Sequence, residues 1–225
     1  MDKRIAQPHS FQKTKRWLTS CLLFFFVACA NKPGKIHGLT KEQFTDHYAR
    51  IDSVKPLVRS GDLIFRSGTD EVSRAARSMN RIDTSFSHCG LVFIENDSVI
   101  VYHAIGGSYN PDQKLRRDPI DSFLIPEEAN NFAVYRYQLS PAQTGTLSTV
   151  VKDYYAAGLK FDLYFNFLSD KEMYCSEFVF KSLNKALSDS LTQLIQAREW
   201  PFGISPDDLF LNERSRLIKR VDFAR

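Results

Sequence analysis

The chain has 225 residues, 43% hydrophobic and 25% charged, which suits one domain with a core of its own and excludes a collagenous, low-complexity or multi-span membrane protein. Four cysteines in that length exclude a disulfide scaffold. The net charge of +4 resides in the first 28 residues, where Lys3, Arg4, Lys13, Lys15 and Arg16 face Asp2 alone. The rest is neutral, and nothing in its balance asks for nucleic acid.

The basic stretch ending in Lys13-Thr14-Lys15-Arg16 precedes an apolar run, Trp17–Ala28. Roughly 12 residues of helix span about 18 Å, short of the roughly 30 Å of a bilayer core, so the run reads as an export signal. It stops at Phe26-Val27-Ala28-Cys29, which resembles a bacterial lipobox, with Phe26 in place of the usual Leu. The expected organisation is a lipoprotein signal peptide over 1–28, a polar tether over 29–39 and one domain over 40–225. Cys29 is then the lipidated residue, and the protein is anchored at the cell envelope facing the periplasm or exterior. Ordinary signal cleavage, with Cys29 a spare thiol, is the alternative.

Thr40 and Gln43 form a capping-box pattern ahead of a helix over about 41–52. Ser60-Gly61-Asp62 turns into a strand at 63–66, and a helix follows over about 70–79. Two strand-like runs, 88–94 and 99–104, flank Glu95-Asn96-Asp97-Ser98. The stretch 106–118 reads as loop by composition, a further strand lies near 132–137, and a helix covers about 142–157. Residues 161–167 are aromatic-rich and ambiguous. Helix returns near 174–187, and irregular structure runs on to the end at 216–223. No internal repeat is present. Helices and antiparallel strands without βαβ alternation make the fold class α+β.

With an even turn at Asn96-Asp97, Ile94 pairs with Val99, His103 lies opposite Gly90 and His88 opposite Ile105. His88 and His103 then share a face as diagonal neighbours, with Gly90 leaving room between them; an odd turn or a bulge would separate them. Histidines on apolar strands are often only satisfied core residues. No HExxH or paired-cysteine spacing supplies further metal ligands, and no cofactor is expected. A catalytic pair would need a nucleophile, and Cys175 is the candidate. Phe178, Val179, Leu183, Ala186 and Leu187 trace a helical face after it, so it sits near a helix start, where free amides favour a thiolate. Ser169 and Glu172 form a competing capping box that would place Cys175 in the second turn. Alone, such a cysteine reads as a small hydrophobe. Cys89, adjacent to His88, faces the other side of the sheet and reads as core; a Cys89–Cys175 disulfide is the minor alternative.

Leu63-Ile64-Phe65 after Gly61-Asp62, Ser87-His88-Cys89-Gly90-Leu91-Val92 and Tyr174-Cys175-Ser176-Glu177-Phe178-Val179 together resemble the YaeF/YiiX group of permuted, NlpC-type, papain-like cysteine amidases. Phe161-Asp162-x-x-Phe165 and Ser205-Pro206-Asp207-Asp208-Leu209 extend the resemblance over roughly 57–211. The order, histidine strand first and nucleophile helix last, is what marks the permutation. The resemblance implies an antiparallel sheet packed against a nucleophile-bearing helix, with Cys175 as nucleophile, His88 as base and His103 as the orienting third residue, where several members of the group carry Glu. It implies an amide substrate, with cell-wall stem peptides the first expectation for an envelope lipoprotein. Thiol-dependent lipid acyltransferase or lipase chemistry and a non-catalytic envelope binding module are the alternatives. The partners expected are a peptide or lipid amide substrate and a membrane reached through the N-terminal lipid.

Overall fold

The computed structural model describes residues 39–196 and 203–223. The expected signal peptide over 1–28, Cys29 and all of the expected tether but Leu39 lie outside the described residues. Among the described residues, no helix is long and apolar enough to cross a membrane.

In chain order the elements are α1 (Lys41–Val54), β1 (Leu63–Gly68), α2 (Glu71–Ser78), β2 (His88–Glu95), β3 (Ser98–His103), β4 (Arg116–Pro119), α3 (Ile120–Phe123), β5 (Ala129–Tyr137), α4 (Pro141–Ala156), α5 (Cys175–Ala186), α6 (Pro206–Phe210) and β6 (Ser215–Asp222). α1 begins where the Thr40/Gln43 box places it: Thr40 Oγ1 accepts from the Gln43 amide and Gln43 Oε1 from the Thr40 amide. The strands form one antiparallel sheet in the order β4-β3-β2-β1-β5-β6. Two strands exceed expectation. β4 arises at the end of the stretch read as loop, and β6 pairs with β5 where irregular structure was expected.

Period-two alternation divides the sheet's side chains between two cores. Leu63, Phe65, Cys89, Leu91 and Tyr102 join one core with Phe178, Val179 and Leu183 of α5 and Leu147 and Val151 of α4. Ile64, Val92, Val101, Phe132 and Val134 join the other with Ile51 and Val54 of α1 and Ile120 and Phe123 of α3. Each fully buried side chain of this kind stabilises by about 1.5–3 kcal/mol. The sheet is therefore covered by helices on both faces.

Candidate active site

The β2–β3 hairpin follows the even register: Ile94 opposes Val99, and the ladder runs to Leu91 opposite Tyr102. Asn96 and Asp97, with φ of 47° and 60°, supply the left-handed pair a two-residue turn of this twist requires. The ladder stops before Ile105, so the expected His88–Ile105 pairing is not made, because β3 ends at His103 and turns toward β4. His103 still lies beside Gly90. A Cβ on Gly90 would stand 2.7 Å from the Tyr102 carbonyl and 3.0 Å from the His103 Cβ.

His88 and His103 meet as the shared face requires. His88 Nε2 and His103 Nδ1 are 2.9 Å apart, with the rings edge-on. Both rings contact Phe123, so α3 holds them from the side opposite α5. His103 Nε2 lies 3.0 Å from Asp118 Oδ2, a residue that was not singled out in the sequence. Asp118 sits on β4, where Arg116 opposes His103 and residues two apart share a face. Arg116 donates to both oxygens of that carboxylate, at 2.7 and 2.8 Å. Burial works against the Asp118 charge, but the bonds from His103 and Arg116 prevail and hold its carboxyl well below the usual range.

One proton arrangement fits this chain. An ionised Asp118 can only accept, so His103 carries its proton on Nε2 and presents a bare Nδ1. His88 must then donate from Nε2, which leaves its own Nδ1 unprotonated. Burial is the main reason the His88 ring stays neutral, with His103 and Arg66 adding to it, and burial likewise lowers His103.

Cys175 is the first residue of α5, so the Ser169/Glu172 box does not start this helix. Tyr174 precedes it; its amide donates to Glu177 Oε2 at 3.3 Å, and its hydroxyl accepts from the Ile204 amide at 2.9 Å. Cys175 and Cys89 are both free thiols, so the alternative disulfide is not formed. The neighbour of the Cys175 sulfur is Cys89. A hydrogen bond from the Cys89 thiol, aided by the amides of Cys89, Ser176 and Cys175, outweighs burial and lowers the Cys175 thiol. Burial pushes the Cys89 thiol well up.

Cys175 and His88 border one cavity of about 430 Å³, together with α2, the 105–108 turn and the 161–165 segment. Among the described residues, no hydrogen bond joins the sulfur to the His88 ring. Asp162 is 3% exposed and accepts from the amides of Tyr164 and Asn166, so it shapes the segment before the cysteine helix.

Residues 57–198 match the model of the permuted papain-like amidase family YaeF/YiiX, C92. The chain belongs to this family. It is therefore a papain-like cysteine amidase or peptidase, a hydrolase of amide bonds. It is 27% identical over 158 residues to the uncharacterized protein YiiX of Escherichia coli K12, an alignment covering 69% of this chain and 72% of that one. The crystal structure of YiiX from Escherichia coli O157:H7 superposes with a TM-score of 0.56 at 21% identity, over 72% of this chain and 97% of the other, and supports the fold. That neighbour is described as a metalloprotein. Here both His103 nitrogens are engaged, and among the described residues no three His, Cys, Asp or Glu side chains form a set that could hold a metal ion.

Proposed function

We propose that Cys175 is the nucleophile, His88 its base, His103 the residue that orients His88, and Asp118 the residue that fixes His103. The observation carrying this reading is the chain Asp118–His103–His88, with its unprotonated end at the ring that borders the cavity of Cys175. The sulfur bonds to the amide carbonyl carbon as its proton passes to His88 Nδ1. The amide hydrogen of Cys175 stabilises the oxyanion at the start of α5. The C–N bond then breaks, with His88 returning the proton to the departing amine. Water attacks the thioester, releasing a carboxylic acid and restoring the thiol. Contacts between nucleophile and base are often long before substrate binds, which accommodates the missing sulfur–His88 bond.

The substrate we propose is an amide of the cell envelope, reached by a protein exported through residues 1–28 and anchored by lipid on Cys29. Stem peptides of the cell wall are the expectation from the sequence. The cavity is lined chiefly by apolar side chains, which favours an amide bearing an apolar group over one bearing several carboxylates. A binding module without catalysis does not need a lowered thiol beside a neutral imidazole.

Treatment with p-nitrophenyl acetate, followed by intact mass and peptide mapping, tests the assignment. The expected result is an acetyl thioester on Cys175, absent in Cys175→Ala and formed at least tenfold more slowly in His88→Ala, with stem peptides and lipid amides then compared as substrates. Equal labelling of the native protein and His88→Ala would reject His88 as base.

A further inference from the structure

Cys89 is a second nucleophilic group that the proposed mechanism uses only as a neighbour. It lies on β2 opposite Phe65 of β1, is 0% exposed, and packs in the core that α5 covers. Any small apolar side chain would meet that packing demand, so the sulfur itself needs another reason to be there. Its thiol hydrogen-bonds to the sulfur of Cys175, the first residue of α5, and Cys175 packs against the core to which Cys89 belongs. Both thiols are free, and no other cysteine lies among the described residues. A disulfide joins sulfurs about 2.05 Å apart, and two thiols already in hydrogen-bonding contact have only the remaining gap to close.

The pair is unequal in the way that a peroxide-reactive pair requires. Cys175 is the partly exposed member, whereas Cys89 is buried. Cys175 is also the more acidic, because the Cys89 thiol and the nearby amides lower it while burial raises Cys89. An oxidant therefore meets Cys175 first, with a resolving thiol in contact with the oxidised sulfur.

We propose that Cys175 is a site of reversible oxidation by hydroperoxides and that Cys89 is its resolving thiol. The Cys175 sulfur attacks the peroxide: an S–O bond forms, the O–O bond breaks, and the departing oxygen takes the thiol proton and leaves as water, or as the alcohol of an alkyl hydroperoxide. Two electrons pass from sulfur to the peroxide. The Cys89 sulfur then bonds to the Cys175 sulfur, the S–O bond breaks, and the hydroxyl leaves as water with the Cys89 proton. A dithiol reverses the change by two exchange steps and ends as its own disulfide. The bridge keeps Cys175 from passing on to sulfinic acid, which is not recovered by thiols. The pairing is independent of catalysis, but that it halts amide hydrolysis rests on Cys175 being the nucleophile.

Full-length protein is treated with hydrogen peroxide, quenched with catalase and iodoacetamide, and digested with trypsin without reductant. The expected product is a peptide pair joining residues 82–114 to 172–181. Turnover of p-nitrophenyl acetate should fall with its formation and return after dithiothreitol, which is removed before the assay. In Cys89→Ala, Cys175 should go on to sulfinic acid, and about tenfold less of that variant's own starting activity should return. The joined peptide is read in the native protein, so the result does not depend on how the variant folds. Sulfinic acid on native Cys175 without the joined peptide, no reaction of either sulfur, or equal recovery in a folded Cys89→Ala would overturn the resolving role. The joined peptide with ester turnover unchanged keeps the disulfide and removes Cys175 as nucleophile. Turnover abolished by Cys175→Ala, with no joined peptide at any peroxide dose, does the reverse.

Discussion

Replacing Asp118 by Asn is expected to reverse the proton chain rather than merely weaken it. Asp118 Oδ2 accepts from His103 Nε2 and from Arg116, while Oδ1 accepts from Arg116 again. Asn has one acceptor oxygen, and Arg116, which can only donate, competes for it. With the oxygen toward Arg116, the amide NH₂ faces His103 Nε2 and forces that nitrogen to accept. His103 then donates from Nδ1, His88 must accept at Nε2, and its proton moves to the Nδ1 that should serve as base. Alanine removes the carboxylate without imposing the wrong tautomer. A hydrogen bond to a charged partner contributes about 1.5–3 kcal/mol, so Asp118→Ala should slow acylation of Cys175 by roughly ten- to hundredfold. Asp118→Asn should fall at least that far, though it is the closer isostere. The assay is the rate of p-nitrophenol release from an acyl ester against pH, in single variants and in a His103→Ala background, where Asp118→Ala should add little because the two residues act as a unit. A merely structural Asp118 would lower the melting temperature and leave the pH profile unmoved. Asp118→Asn retaining native rates, or additive losses with His103→Ala, would refute the relay.

Three further outcomes follow from the same geometry. Cys89→Ala removes the main group that lowers the Cys175 thiol, so the pH midpoint of Cys175 alkylation by iodoacetamide should move up toward the ordinary value near 8.5; an unmoved midpoint would show that the amides alone hold the charge. Burial raises Glu177 to about 7, above its usual value of 4.5, so the folded state holds a proton that the unfolded chain has released. Its contribution is present below about 4.5 and is lost as pH rises through 7, a change of at most about 3 kcal/mol, and Glu177→Gln should flatten the melting temperature over that window and raise it at pH 8. Lys181 keeps Asp170 and the carbonyls of Phe167 and Ser169 in that variant; equal pH slopes for the two proteins would count against a raised Glu177. Gly90→Ala places a Cβ 2.7 Å from the Tyr102 carbonyl and 3.0 Å from the His103 Cβ, so it should cost about 1–3 kcal/mol and slow acylation through His103, both read on one sample by melting and ester turnover.

The hairpin was legible because its alternation and its Asn-Asp turn agree with one another, and the register they set brings the two imidazoles together. The start of α5 was ambiguous for a physical reason. Ser169 and Glu172 spell a capping box, but Ser169 Oγ accepts from Lys171 and caps a turn, while the helix begins at Cys175, after Tyr174, a residue type with no preference for the cap position. Asp118 was hidden differently. Arg116-Arg117-Asp118-Pro119 has no apolar alternation to reveal a strand, because β4 is an edge whose side chains serve His103, Glu95 and solvent rather than a core. The signal available was the alternation of Arg116 and Asp118 ahead of a proline, read against His103 two strands' width from the centre.

His88 and Cys89 are adjacent, yet they serve opposite faces of one sheet. His88 belongs with Phe123 and the relay to Asp118, whereas Cys89 belongs with the core of α5 and touches the Cys175 sulfur. This division works only where a strand end lets the two faces communicate. The β2–β3 ladder ends at Leu91–Tyr102, so the amide of Cys89 is among the groups that reach the sulfur, and the His88 ring beside it borders the same cavity. A residue that completed the ladder would satisfy that amide with a carbonyl and take the charge-stabilising donor away from Cys175. The early end of β3 at His103, where the chain turns into β4 and toward Asp118, thus leaves that amide among the groups that lower the Cys175 thiol. Under the proposed mechanism, one interruption of the sheet thus serves both the imidazole and the sulfur.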